Sequence, residues 1–519
     1  MMELASWVYG KWIVGTGRAA TLVNPATEAP LATTSTDGID FGAALAFARE
    51  QGGPALRAMT FRQRGELLRA MSRAVHARRD ELLALAIANG GNTRSDAKFD
   101  VDGAIGTLAA YADLAGELGD AQVLLDGEGA QLGRSARLFG QHVFLPRQGV
   151  AVHVNAFNFP AWGLAEKAAC ALLAGMPVIS KPATSTAVVA FRLVQILVED
   201  GVLPDGVLSL LCGSSGDLLD RLGGQDVLAF TGSSATAGAL RGGAAFAQAS
   251  AHVNVEADSL NAAVLGPDVQ DGSELLNLFV GDVVRDVTQK TGQKCTAIRR
   301  VYAPAPVVEA VLERIRERLV AVKIGDPARE EVGMGPVSTA QQLMDVRDGI
   351  ARLASAGRFV CGGPEPVEAL GVDRGKGYFV APTLVHAPEP RADDAVHRHE
   401  VFGPVATVMP YDGSAAAAAR LTAWGGGGLV SSVYSDDKDF ARELVLGMAP
   451  LHGRITLGTS KSASQAMPPG TVLPQLLHGG PGRAGGGEEL GGRRGLALYM
   501  QRTALQGDRA LVEAIAGKR

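Results

Sequence analysis

Cysteine is scarce in this 519-residue chain: Cys170, Cys212, Cys295 and Cys361 are all there are. So few thiols exclude a disulfide framework and point to a reducing compartment, where each is either a small core residue or a nucleophile. A basic surplus is missing too. Lys+Arg number 49 against 54 Asp+Glu, a formal net charge of −5, which leaves no electrostatic footprint for a nucleic-acid partner. There is no uninterrupted run of about 18 apolar residues, so no membrane span is expected. The opening Met-Met-Glu-Leu-Ala-Ser-Trp lacks a basic stretch followed by an apolar one, so no secretory leader is expected and the expected location is cytoplasmic. The dinucleotide fingerprint G-x-G-x-x-G is absent. No fixed-period repeat is visible, and no metal site is expected.

Glycine, by contrast, is abundant. The 66 glycines are about 13% of the chain, against a usual value of about 7%. They are not periodic, which excludes collagen, so they serve turns, close backbone approaches and loops. With 47% hydrophobic and 20% charged residues the balance is globular, and the length suggests about three domains or lobes.

Local patterns supply the organisation. Thr60 with Gln63 makes a capping box ahead of Leu68, Met71 and Val75. This predicts a helix whose Arg62, Arg64, Arg69, Arg73, Arg78 and Arg79 form a solvated face. Leu138 to Leu145, stopped by Pro146, reads as a hairpin arm. From Gly149 a strand–helix rhythm sets in. Strands are predicted at 150–154, 178–180, 207–211 and 227–230, with helices at about 160–174, 186–199 and after Ser233. That alternation predicts an α/β fold with a parallel sheet and a ligand at the carboxyl ends of its strands. A second apolar block spans about 262–470, with an amphipathic segment from Val307 to Val322. Gly425–Gly428 reads as a flexible loop, and Ala497 to Leu505 as a final strand.

Three segments could carry chemistry. Cys295 follows a glycine turn with Lys294 beside it, and a reactive thiolate needs an electropositive, partly exposed setting. Asn155-Ala156-Phe157-Asn158 ends a strand, where an Asn amide can donate to a developing oxyanion. Glu256 and Asp258 follow a strand-like run, and one could act as a general base. Taken singly, each has a plainer reading as a packed thiol, an Asx-turn or a solvated carboxylate. Cys170, Cys212 and Cys361 read as packing.

Together these segments are more telling. Asn158-Phe159-Pro160, Lys181-Pro182, Phe230-Thr231-Gly232-Ser233, Glu256, Gly292-Gln293-Lys294-Cys295 and Glu400-Val401-Phe402-Gly403-Pro404, in that order, resemble the aldehyde dehydrogenase superfamily over almost the full chain. Lys323-Ile324-Gly325-Asp326-Pro327 and Met334-Gly335-Pro336 resemble that family as well. The resemblance implies that Cys295 attacks an aldehyde while Asn158 and the Cys295 N–H hold the oxyanion. Hydride then passes to a nicotinamide, and Glu256 activates the water that hydrolyses the thioester. Lys167 and Glu489 would form a proton relay. Lys181, Ala183, Thr184, Phe230, Gly232, Ser233, Glu400 and Phe402 would meet the cofactor, with Glu400 on the nicotinamide ribose.

The departures from the family pattern are informative. Glu256-Ala257-Asp258-Ser259 replaces the usual Glu-Leu-Gly-Gly, and Glu166 replaces a Trp beside Lys167. Ala183-Thr184 replaces Ser-Glu, removing a carboxylate that would repel a 2′-phosphate, so NADP is expected ahead of NAD. Asn254 to Asn261 and the run from His478 to Gly492 resemble the branch acting on CoA-linked ring-cleavage semialdehydes in aromatic degradation, including benzoate oxidation. A CoA-linked aliphatic semialdehyde, oxidised to its acid, is therefore the expected substrate. A relative in phenylacetate degradation carries a fused hydratase-like domain, for which this chain is expected to have no room. Alternatives are a CoA-acylating enzyme, an enzyme for free aldehydes, and a non-catalytic relative. The implied fold has a Rossmann-like cofactor domain from 1–133 and 150–258, an arm at 134–149 and an α/β catalytic domain at 259–478. A C-terminal segment at 479–519 would carry an oligomerisation strand, making a homodimer or a dimer of dimers.

Overall fold

A computed structural model describes residues 1–517. Two seven-stranded sheets organise it. In the first, the strands His252–Glu256, Val227–Thr231, Ala151–Val154, Val178–Lys181 and Leu208–Leu210 run parallel in that spatial order. Ser6–Val8 and Lys11–Ile13 extend it antiparallel at one edge, so the turn-rich N-terminus contributes strands that its short apolar runs did not announce. The central strands are buried on both faces, as a parallel sheet covered by helices requires.

The helix Trp162–Ala174 fills one face of that sheet. Apart from Glu166 and Lys167 its residues are apolar or small, and every residue is buried, the signature of a core helix. The carboxylate of Asp100 accepts from the backbone N–H of Trp162 at 2.8 Å, satisfying a donor at the helix start. Gly175 closes the other end in the left-handed conformation.

The second sheet has the order Arg358–Cys361, Thr383–His386, Val405–Tyr411, Ile298–Pro304, Asn261–Leu265, Gly428–Tyr434, His452–Gly458, parallel except for its first strand. Alternation along Asn261–Leu265 shows why it needs cover on two sides. Ala262 and Val264 enter one core cluster, while Ala263 and Leu265 enter another, beneath the helices Glu274–Thr288 and Val308–Val320. A third, antiparallel sheet joins Leu124–Gln131, Leu138–Pro146 and Met500–Asp508. The C-terminal strand pairs in unbroken register from Met500 opposite Pro146 to Asp508 opposite Leu138.

Two sequence expectations need correction. The capping box at Thr60 and Gln63 forms and starts the helix Phe61–Ala77, but Arg64 is fully buried rather than solvated. Residues 64, 68, 71 and 75 share one helical face, so Arg64 points inward with Leu68, Met71 and Val75. Its guanidinium donates to the carbonyls of Leu56, Met59 and Leu173 at 2.9–3.0 Å. Gly425–Gly428 is not a flexible loop. A Cβ at Gly425 would lie 2.2 Å from Arg300 Nη2, and Arg483 donates to the carbonyls of Gly425 and Gly426. The run is a tight crossing that leads into the Gly428–Tyr434 strand. The four cysteines are free, and burial pushes the thiols of Cys170 and Cys212 up to about 12, as packing residues should be.

Candidate active site

Cys295 lies beyond a strained turn. Lys290, Thr291 and Gly292 all have positive φ (52°, 55° and 67°), ahead of the core strand Ile298–Pro304. For β-branched Thr291 this is a costly conformation, on the order of 1–3 kcal/mol. The surroundings enforce it. Thr291 Oγ1 donates to the Gly335 carbonyl at 2.9 Å, and Lys290 Nζ lies 4.5 Å from the Phe159 ring centre. Gly292 is required, since a Cβ there would lie 2.2 Å from the Gly403 carbonyl oxygen. Lys294 does not provide the expected cation beside the thiol, because its ammonium is paired with Asp286 at 2.6 Å and also donates to Gln289.

Two cavities meet at Cys295. One is walled by Phe99, Phe159, Trp162 and Val472, with Glu166, Lys167, Thr296 and His478 among its polar lining. The other is a cleft along the carboxyl ends of the first sheet, where the strand pattern placed a ligand. Asn158, Glu256 and Cys295 line both. The cleft also takes in Lys181, Ala183, Phe230, Gly232, Ser233, Glu400 and Phe402. Thr184 is not among its walls, since it begins a short 3-10 turn and its hydroxyl donates to the Gly213 carbonyl at 3.3 Å. Gln342, Asp345 and Val346 line the cleft as well, and nothing in their local sequence marks them.

The polar groups are tightly interlinked. Asn158 Nδ2 donates to the Gln293 carbonyl at 3.1 Å, leaving its second N–H available. Asn261 Nδ2 donates to the carbonyls of Cys295 and Ala297, fixing the backbone around the thiol. Glu256 Oε2 lies 3.2 Å from His478 Nε2, which is also 3.9 Å from Cys295 Sγ, while Glu256 Oε1 has no hydrogen-bond partner. Lys167 Nζ bridges Glu489 at 3.0 Å and Glu166 at 3.2 Å, all deeply buried. Asn254 Nδ2 donates to Glu489 at 3.2 Å.

Ionisation follows from these contacts. Burial, and then the Glu256 carboxylate, push the Cys295 thiol well above its ordinary value. Burial alone would raise Glu256, but His478 and Lys167 outweigh it and hold the carboxyl at about 2. Glu166 is pushed up to about 7 by burial, despite Lys167. Burial opposes the charge on Lys167, yet Glu489 and Glu166 raise its affinity for a proton.

The cleft suits a nicotinamide dinucleotide. Glu400 Oε2 accepts from the Ser259 N–H at 3.1 Å, while the buried Oε1 has no hydrogen-bond partner and lies 3.8 Å from Arg299, a free acceptor for a ribose hydroxyl. Burial raises Glu400 to about 7. Phe402 packs edge-on against Phe157 and beneath the Arg299 guanidinium. Ser233 caps the helix Ser234–Arg241 by accepting from the Thr236 N–H. Asp258, one of the departures from the family pattern, already accepts from the Ser234 N–H at 3.0 Å.

An aldehyde dehydrogenase family profile matches residues 12–504. The chain belongs to the aldehyde dehydrogenase family. It is an oxidoreductase that oxidises an aldehyde with a nicotinamide cofactor. This dehydrogenase is 45% identical, over 92% of its length and 93% of the relative, to the 3,4-dehydroadipyl-CoA semialdehyde dehydrogenase of Aromatoleum evansii. Among solved structures it resembles 3,6-anhydro-L-galactose dehydrogenase in complex with NAP (TM-score 0.84, 22% identity, 98% and 100% of the two chains). It also resembles a betaine aldehyde dehydrogenase variant from Staphylococcus aureus in complex with NAD+ (TM-score 0.85, 21% identity, 98% of each chain). Among the described residues of the dehydrogenase, no helix is long and apolar enough to cross a membrane.

His478 escaped sequence reasoning as a site residue. It was visible only as the first residue of an unusual glycine-rich run, and neither its neighbours nor its spacing place it beside Cys295.

Proposed function

We propose that this enzyme oxidises a CoA-linked aliphatic semialdehyde, such as 3,4-dehydroadipyl-CoA semialdehyde, to its carboxylic acid, with NADP as the preferred oxidant. One observation carries the chemistry: Cys295 lies where the two cavities meet, with Asn158 and Glu256 on both. The Cys295 thiolate adds to the aldehyde carbon, and the free N–H of Asn158 with the Cys295 N–H holds the resulting oxyanion. When bound, the nicotinamide cofactor supplies the hydride acceptor, with Lys181, Glu400 and Phe402 among the residues that would hold it. Glu256 then deprotonates water through its unpartnered Oε1, and hydroxide releases the acid from the Cys295 thioester. Lys167 and Glu489 carry the proton away from Glu256.

Glu256 favours hydrolysis over transfer to free CoA, because a carboxylate aimed at the thioester provides the base that water needs. The CoA-linked substrate is supported by the 45% identity to the Aromatoleum evansii enzyme. NADP is supported by Ala183 and Thr184, which replace the Ser-Glu of the family pattern and so carry no carboxylate that would repel a 2′-phosphate. The arm and C-terminal strand support a homodimer or a dimer of dimers, and the composition supports a cytoplasmic location.

The test is kcat/KM for CoA-linked semialdehydes against free aliphatic aldehydes, each with NADP and NAD. Preference for the CoA ester by at least about tenfold is expected, equivalent to about 1.4 kcal/mol of transition-state binding. Equal rates with free aldehydes would reject the substrate assignment. Thr184→Glu should shift the preference towards NAD, and a wild-type enzyme that already prefers NAD would reject the cofactor assignment.

A further inference from the structure

The geometry points to His478 as a positioning residue that holds the Glu256 carboxylate beside Cys295 while the enzyme is at rest. The inference rests on the roles proposed above for Cys295 and Glu256. His478 lies on the short strand Leu477–Gly479, antiparallel to Glu488–Leu490 and directly opposite Glu489. That hairpin is docked onto the end of the strand bearing Glu256. Gly487 N–H donates to the Val255 carbonyl, and Ala257 N–H donates to the Ala484 carbonyl, both at 3.0 Å. The glycine-rich run therefore grips the backbone on each side of Glu256 and delivers His478 to its carboxylate.

The imidazole Nε2 faces two acids at once, Glu256 Oε2 at 3.2 Å and Cys295 Sγ at 3.9 Å. Without it, two groups that both become anionic would lie side by side in a buried site. Each would raise the other's proton affinity, and Glu256 would be free to rotate away. With it, the carboxylate keeps one oxygen on the imidazole and leaves the other for water. Of the remaining charged groups around His478, Glu166 is pushed up to about 7 by burial and so changes charge near neutrality. Glu166 and Lys167 face it from the helix Trp162–Ala174, Glu489 from the paired strand, and Arg454 from His452–Gly458. Burial opposes a charge on His478, Glu256 and Glu166 favour it, and Arg454 opposes it.

Alkylation of Cys295 by iodoacetamide, in full-length enzyme without aldehyde, reads this directly. The rate is followed across about pH 6 to 10 in wild type, His478→Phe and His478→Gln. In His478→Phe the profile should move up by about one pH unit, and the rate near neutrality should fall about tenfold. His478→Gln should recover most of the rate, because its amide nitrogen can donate where Nε2 did. A folded His478→Phe enzyme with the wild-type profile would overturn the proposal. If neither variant folds, wild type against Glu256→Gln decides. In Glu256→Gln the thiol ionisation should move to lower pH, because the neighbouring carboxylate raises it in wild type, and an identical profile in both would overturn the proposal. Failure of the underlying reading has a different signature, in that Cys295→Ala would still oxidise aldehyde.

Discussion

Each catalytic group acts through its neighbours. Cys295→Ala should abolish aldehyde oxidation while leaving cofactor binding intact. Glu256→Gln should separate the half-reactions: reduced cofactor still forms in the first turnover, but steady-state kcat falls by about 10²–10⁴, the usual worth of a general base. Rapid-mixing absorbance of the reduced cofactor distinguishes the two. Because burial and Glu256 raise the Cys295 thiol, thiolate is scarce near neutrality, and the first-turnover rate should climb with pH. Stability has its own pH dependence. Burial lowers His397 to about 3 and His452 to about 4, so both are neutral in the fold, whereas the unfolded chain takes up protons below about 6.5. A folded-state pKa depressed in this way means stability is present above the unfolded value and lost as pH falls towards 3–4. Thermal melts should therefore show Tm dropping from pH 6.5 to 4.5, and dropping less in His397→Gln. Lys294 shows how far a residue can mislead: adjacent to the nucleophile in sequence, its charge is paired with Asp286 in the fold.

At the scale of the element, the strained turn before Cys295 and the core helix behind it do most to aim the site. Gly292→Ala would press a methyl group against the Gly403 backbone and cannot hold φ of 67° without strain. It should lower Tm and, by displacing the thiol, lower kcat by about 10². Replacing Arg64 by Leu would strand the Leu56, Met59 and Leu173 carbonyls, at about 1–3 kcal/mol for each buried group left unpaired. Urea denaturation should show this loss with kcat/KM little changed, because Arg64 lines neither cavity. Strands and helices from 150 to 241 were legible because period, capping and glycine stops agree there. Arg64 departs from the solvated face because helical phase, and not charge, decides which way it points.

At the scale of the whole molecule, the third sheet leaves large apolar side chains exposed. Leu132, Leu138 and Leu145 are exposed around the strand that pairs with Met500–Asp508, an unusual concentration of large apolar side chains on an edge sheet. If the proposed homodimer or dimer of dimers assembles through this arm, Leu138→Glu with Leu145→Glu should shift the enzyme to a smaller species in light scattering. Unchanged mass would reject the arm as an oligomerisation surface.

Sequence by itself determined the chemistry and most of the elements. The ordered motifs around Asn158, Glu256, Cys295 and Glu400, and the alternation of strand and helix, are local properties written in neighbouring residues. Only tertiary structure decided which side chains meet. Glu256 and His478 lie 222 positions apart in sequence and 3.2 Å apart in space. Lys167 and Glu489 are brought together in the same way, because a C-terminal hairpin docks on the edge of a sheet built far upstream. The charged neighbours that shift Glu256, His478 and Lys167 against the effect of burial are a property of that packing and not of any segment.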